Sequence, residues 1–155
     1  MTTAVVTHEQ HRTINCNATP FLPNGWSVRP EDQITSAVRG DFTLEPSKIT
    51  PYFSEQQKNS KAVVGNDLRK ELEGKPVLTA HVLDHLLADT DLVPESWKVD
   101  ENGNTLYHFF WGTLYRASDG GLCVRYLCWC GDRWDWFSYW LGDRFDGQRP
   151  AVLAS

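Results

Sequence analysis

Two histidines four residues apart, His81 and His85, have the clearest chemical spacing in this chain. On a helix that spacing sets both imidazoles on one face, where they can chelate a metal. The zinc-protease pattern also needs a glutamate directly after the first histidine, and Val82 stands there instead. No third ligand is identifiable. The pair is a metal candidate weighed against an ordinary solvated helix face, and no cofactor is expected. Cys128 and Cys130 are soft ligands by type, but zinc ribbons place two residues between cysteines and use two such pairs. Small buried hydrophobes are the simpler account of both. A Cys123–His108 nucleophile has the right residue types and no spacing that would join them. Asp132, Asp135, Asp143 and Asp146 run among tryptophans, as carboxylate acid–base hydrolysis of a glycoside would need. Turn formation explains Asp132, Asp143 and Asp146 more simply, because each adjoins a glycine or lies one residue from one. Phosphate-cradling glycine loops and the GxSxG nucleophile elbow are absent from the sequence.

A larger signal is RYLCWCGDRWDWFSYW, residues 125–140, which holds four Trp, two Tyr and a Phe. Gly131-Asp132 places glycine first in a two-residue loop, as a type II′ hairpin requires. That loop sets Trp129 opposite Trp134, Leu127 opposite Trp136, Arg125 opposite Ser138 and Cys123 opposite Trp140. An Asp119-Gly120 type I′ turn upstream would set Arg116 opposite Cys123 and Leu114 opposite Arg125. One face then carries Arg116, Arg125, Trp129, Trp134, Trp136 and Trp140, and the other carries Phe109, Trp111, Tyr115, Val124 and Tyr126. Aromatics usually serve cores. Guanidinium over indole is favourable at a wet surface, however, whereas two arginines buried without acids would be costly. The Tyr/Phe/Val face is therefore expected to be core, and the Trp/Arg face is the binding candidate. Gly112, mid-strand, marks a place for close approach.

The elements that must position these residues follow from periodicity and breakers. Residues 1–24 are polar and aperiodic, and read as a flexible N-terminal arm. Ile34, Val38, Phe42 and Leu44 alternate as a half-buried strand does, and Glu45-Pro46-Ser47-Lys48 suits a type I turn. Pro51 cannot donate to a ladder, so the returning strand belongs at an edge. Asn66 can cap a helix over residues 67–73 that Gly74 ends. Thr79 can cap a second, with Val82, Leu83, Leu86 and Leu87 buried and His81, Asp84, His85 and Ala88 opposite. Together these make one α+β domain over residues 25–155. It comprises an N-terminal β-hairpin, two short helices and a C-terminal three-stranded antiparallel meander rich in Trp.

Bulk composition narrows the partners. The 155 residues fit one domain, and thirteen of the nineteen aromatic residues lie between Tyr107 and Phe145. The net charge of −5 is carried by the second half of the chain, with no clustered excess of Lys and Arg. That argues against nucleic acid. No apolar run is long enough to span a bilayer, and the first residues lack the pattern of a secretory signal. Four cysteines without disulfide-rich spacing fit a cytoplasmic protein with reduced thiols.

The segments GWSVRPEDQI, GNDLRKELEGKPVLTAHVLDHLLA, LVPESWK, FFWGTLYR and VRYLCW resemble a group of bacterial proteins. The resemblance runs from about Gly25 to the C-terminus. It implies a bacterial origin and one continuous domain, and brings no reaction or ligand. The expected function is a non-catalytic binding module whose Trp/Arg face takes a protein or a small ring-bearing ligand. The alternatives are a small metal-assisted or carboxylate hydrolase, and an acidic inhibitor or decoy.

Overall fold

The computed structural model describes residues 12–155. In chain order the strands begin with β1 (Thr13–Asn15), β2 (Asp41–Thr43) and β3 (Ile49–Tyr52). Helix α1 (Glu55–Lys58), strand β4 (Val63–Val64) and helices α2 (Gly65–Leu72) and α3 (Ala80–Ala88) follow. The chain then becomes β: β5 (His108–Arg116), β6 (Leu122–Trp129), β7 (Trp134–Trp140), β8 (Arg144–Phe145) and β9 (Ala151–Ala154). The fold is mixed α+β in a single domain.

Its centre is a five-stranded sheet in the order β3-β9-β5-β6-β7. All neighbours in it are antiparallel except β5 and β9, which run parallel. The N-terminal antiparallel pair is β1 with β2. After Pro46 the chain turns, with the Lys48 N–H on the Glu45 carbonyl, and enters the large sheet as edge strand β3 beside β9. Pro51 thus sits at a sheet edge, where its missing N–H matters least. The part of the expected arm that lies within the described residues is docked. Ile14 and Cys16 are buried, and the Ala18 and Phe21 carbonyls accept hydrogen bonds from His81 and Tyr115. Residues 1–11 lie outside the described residues.

Each face of the sheet is covered. Helix α3 packs Val82, Leu83 and Leu86 against Phe110, Leu127 and Val152, with Leu87 only half-buried. On the other side α2 sets Leu68 and Leu72 against Phe109, Trp111 and Val124. Two neighbouring layers explain why both faces of β5 and β6 are apolar. The expected side-chain cap of α2 is absent, and the helix begins at Gly65 rather than after Asn66. Its first N–H groups, on Gly65 and Asn66, are taken by the Asp143 and Leu141 carbonyls just beyond β7. Gly74, with φ +90°, occupies the left-handed region just past its end.

The two hairpins of the meander differ. The β6–β7 register sets Trp129 opposite Trp134, Arg125 opposite Ser138 and Cys123 opposite Trp140, as the Gly131 loop requires. The β5–β6 register is displaced by one residue from that expected, with Arg116 opposite Leu122 and Tyr115 opposite Cys123. The cause is a three-residue loop. The Gly120 N–H donates to Ala117, and Gly120 takes φ +87°. A second irregularity lies between Phe109 and Leu114, where β5 bulges. There Gly112 approaches Leu78 and Thr79 so closely that a Cβ would lie 2.6 Å from the Leu78 carbonyl group. The close approach at Gly112 is therefore made by the chain itself.

Candidate functional site

The register change separates the two arginines expected on one face. Arg116 points away from α3, and its guanidinium makes two 2.9 Å hydrogen bonds to the buried Asp32 carboxylate. That partner holds the Asp32 carboxyl below its usual range. Arg125 stays on the α3 side and is only 1% exposed. It is covered because α3 lies over the Trp/Arg face, so that face is not the open platform expected from its composition. Asp84, on the helix side expected to be solvated, turns down to meet it.

That meeting is the best-built polar feature of the fold. The Arg125 guanidinium holds Asp84 through two bonds, of 2.8 and 3.1 Å, the bidentate fork that suits a carboxylate. Its third contact, at 3.5 Å, is the Tyr115 hydroxyl, which in turn donates to the Phe21 carbonyl at 2.9 Å. The guanidinium carbon lies 4.1 Å from the Trp136 ring centre and 5.1 Å from that of Phe21. Burial acts against the Arg125 charge, while Asp84 and Tyr115 more than offset it, so the pKa lies above the ordinary arginine value. Burial also raises the Tyr115 pKa, which keeps this hydroxyl protonated and able to donate.

Above this floor lies an open cleft of about 550 Å³ lined by Ile14, Asn15, Phe21, His81, Asp84, His85 and Trp136. One wall is α3, the second is β1 and the segment after it, and the third is β7. Phe21 and Trp136 meet edge to face at 6.0 Å. The rim thus offers two aromatic rings, one amide and one carboxylate whose side chain is 34% exposed. Ile14, Asn15, Phe21 and Asp84 are the cleft residues that sequence reasoning missed. Asp84 had a signal, since any buried arginine calls for an acid. Phe21 and Asn15 had none, because they sit in a segment without periodicity.

The other candidate residues are dispersed. His81 is in the cleft wall with both ring nitrogens engaged, Nδ1 with Thr79 Oγ1 at 2.8 Å and Nε2 with the Ala18 carbonyl at 2.7 Å. A carbonyl only accepts, so Nε2 carries the proton and Nδ1 faces a hydroxyl, which leaves no lone pair for a metal. The His81–His85 pair therefore does not present two open ligands, and among the described residues no group of three His, Cys, Asp or Glu is placed to hold an ion. Cys123 is buried opposite Tyr115, its thiol pushed up to about 11, first of all by burial. His108 lies opposite Leu127 and bonds the Trp97 carbonyl, so the two do not form a nucleophile pair. Asp132 and Asp135 flank Arg133, whereas Asp143 and Asp146 lie beyond the far end of β7, so the acidic series does not converge.

Trp129 and Trp134 pack against each other at 5.4 Å, with the Lys98 ammonium 3.9 Å from the Trp129 ring. They stand at the hairpin end of the sheet, away from the Arg125 cleft, beside a second hollow that Glu95 and Lys98 also line. Trp140, 43% exposed, covers Gly121 at the opposite end of β7. The row of tryptophans is therefore three separate settings rather than one platform.

No protein family, curated protein or solved structure matches the chain.

Proposed function

We propose that the protein is a non-catalytic binding module that takes a small ring-bearing ligand in the cleft between α3, β1 and β7. A sugar fits the chemistry of the walls best. The apolar face of a pyranose can lie on Trp136, and its hydroxyls can reach the half-exposed Asp84 carboxylate and the Asn15 amide. The observation that carries this reading is the arrangement beneath the cleft. A buried Arg125 fixes Asp84 by a bidentate bond and Trp136 by stacking, so a carboxylate and an indole are held beside one open volume. Asp84 accepts those two bonds and retains lone pairs for hydroxyl donors.

The scattering of the carboxylates and the engagement of both His81 nitrogens favour binding over hydrolysis. Among the described residues no helix is long and apolar enough to cross a membrane. A cytoplasmic setting belongs to the same proposal, supported by four free thiols.

The test is intrinsic fluorescence and NMR titration with a panel of monosaccharides and their methyl glycosides. Binding should saturate, and Trp136→Ala should weaken it by about 2 kcal/mol or more, the size expected of an aromatic anchor. Trp140→Ala should leave it unchanged. Saturable sugar binding that survives Trp136→Ala, or no saturation with any member of the panel, would overturn the reading.

A further inference from the structure

The hairpin end of β6 carries a second constellation, on the face opposite the cleft. Cys128 is buried and lies opposite Asp135, while Cys130, at the start of the loop, is exposed. Residues two apart along a strand point the same way, and here the two sulfurs come within 3.8 Å of each other. A core role accounts for Cys128 and leaves the solvent-facing Cys130 without a reason. We propose that Cys128 and Cys130 form a two-thiol chelating site for a soft acceptor that is satisfied by two sulfurs, with trivalent arsenic as its chemical type.

Three observations select that class. The first is distance. Two sulfurs each bonded at about 2.3 Å to one central atom can stand up to about 4.6 Å apart, so 3.8 Å lies within the reach of a single bridging atom. A direct disulfide is less suited, because residues two apart on an extended strand have Cα atoms about 6.6 Å apart, near the upper limit for that bond. The second is ligand number. Zinc asks for four ligands, and among the described residues no third His, Cys, Asp or Glu is placed to complete a site. The third is protonation. Burial, the neighbouring Cys130 thiol and Asp135 push the Cys128 thiol up to about 12, so a dithiolate beside a carboxylate is disfavoured.

Trivalent arsenic needs no standing thiolate. Arsenous acid exchanges two of its hydroxyls for the two sulfurs. Two As–S bonds form, two As–O bonds break, and each thiol proton leaves with a hydroxyl as water. Arsenic stays trivalent, no electron is transferred and the product carries no new charge. Cys130 supplies the accessible first sulfur, and Cys128 closes the ring from within.

The experiment uses the reduced full chain and phenylarsine oxide, which condenses with two neighbouring thiols and releases one water. Intact mass should show one phenylarsenic adduct per chain, removed by a dithiol reagent and resistant to a monothiol. Cys130→Ser, at an exposed loop position, should keep the melting temperature and weaken binding roughly 100-fold or more, the usual gain from a second tethered contact. Cys128→Ala, at a buried position, should lower the melting temperature and weaken binding to the same degree, and arsenite should compete with the adduct. An adduct that survives Cys130→Ser, no adduct at all, or a Cys128–Cys130 disulfide as the resting state of the purified protein would each overturn the proposal. The buried Cys16 and Cys123 serve as internal controls, since adduct formation there would be independent of both substitutions.

Discussion

Arg125 and His108 lie on the same face of the sheet, both beneath the layer that α3 heads, and they solve burial in opposite ways. Arg125 is 1% exposed and keeps its charge, because Asp84 and Tyr115 supply acceptors. His108 is fully buried, stacks on Trp97 at 4.3 Å and has one partner, the Trp97 carbonyl. Among the described residues no carboxylate faces it, and burial pushes its pKa down to about 4, so it is neutral at ordinary pH. Each also keeps one ring or guanidine nitrogen without a partner, Arg125 Nε and His108 Nδ1. A buried cation persists in this fold only where a counter-charge reaches it. That is why the Arg125 end of the face supports a polar cleft and the His108 end is plain core.

The largest test removes the counter-charge. In Asp84→Ala the guanidinium of Arg125 stays charged and buried with only a tyrosine hydroxyl to serve it. Breaking a buried pair from one side costs about 3–5 kcal/mol, and the partial exposure of Asp84 favours the lower figure. Asp32→Ala should cost less, because Arg116 can turn to water. Chemical denaturation of both variants checks the ranking. Equal losses would mean that the two arginines are equivalent and that Arg125 has no special place beneath the cleft.

A smaller effect should come from the other member of the comparison. The folded pKa of His108 lies below its unfolded value of 6.5, so the unfolded chain binds the extra proton first. The stability tied to this group is therefore complete above pH 6.5 and is lost as pH falls toward 4. The loss reaches about 3 kcal/mol if the full shift is realised. Denaturant midpoints measured across that window should fall with acid, and His108→Gln, which retains a donor for the Trp97 carbonyl, should flatten that part of the profile. A wild-type profile with no slope there would show that His108 takes up its proton in the fold as readily as in the unfolded chain, so that burial does not shift it.

What could be read from the chain divides along the same lines of local against distant cause. The β6–β7 register was legible because a two-residue loop with glycine first fixes it within a few residues. The β5–β6 register was not, since Ser118-Asp119-Gly120 serves equally in a three-residue loop and the bulge before Leu114 has no mark beyond Gly112. The buried stripe of α3 was legible from its 3.6-residue period, and Val82, Leu83 and Leu86 lie where it puts them. The partners of the arginines were not. Asp84 is 41 residues from Arg125 and Asp32 is 84 from Arg116, separations at which only the folded topology decides who meets whom. The site therefore failed to show in sequence where it depended on long-range pairing.

The smallest effect separates the two tryptophans that frame this end of the sheet. Trp136 is half-buried and rests on Arg125, while Trp140 is 43% exposed and lies over Gly121. Trp140 opposes Cys123, a small buried side chain, so it has little across the strand to pack against. Cross-strand contacts of an exposed aromatic contribute about 0.2–1 kcal/mol, and Trp140→Ala should lose no more than that. Trp136→Ala should lose more, because it uncovers the guanidinium that the indole shields and opens the cleft floor to water. If the comparison holds, the stability lost in Trp136→Ala and in Asp84→Ala should not add in the double variant, since both act through Arg125. Trp140→Ala should add to either one within about 0.5 kcal/mol. Additive losses for Trp136 and Asp84 would mean that indole and carboxylate do not share the guanidinium as one unit. The cleft would then be a gap between independent neighbours rather than a site built on one buried charge.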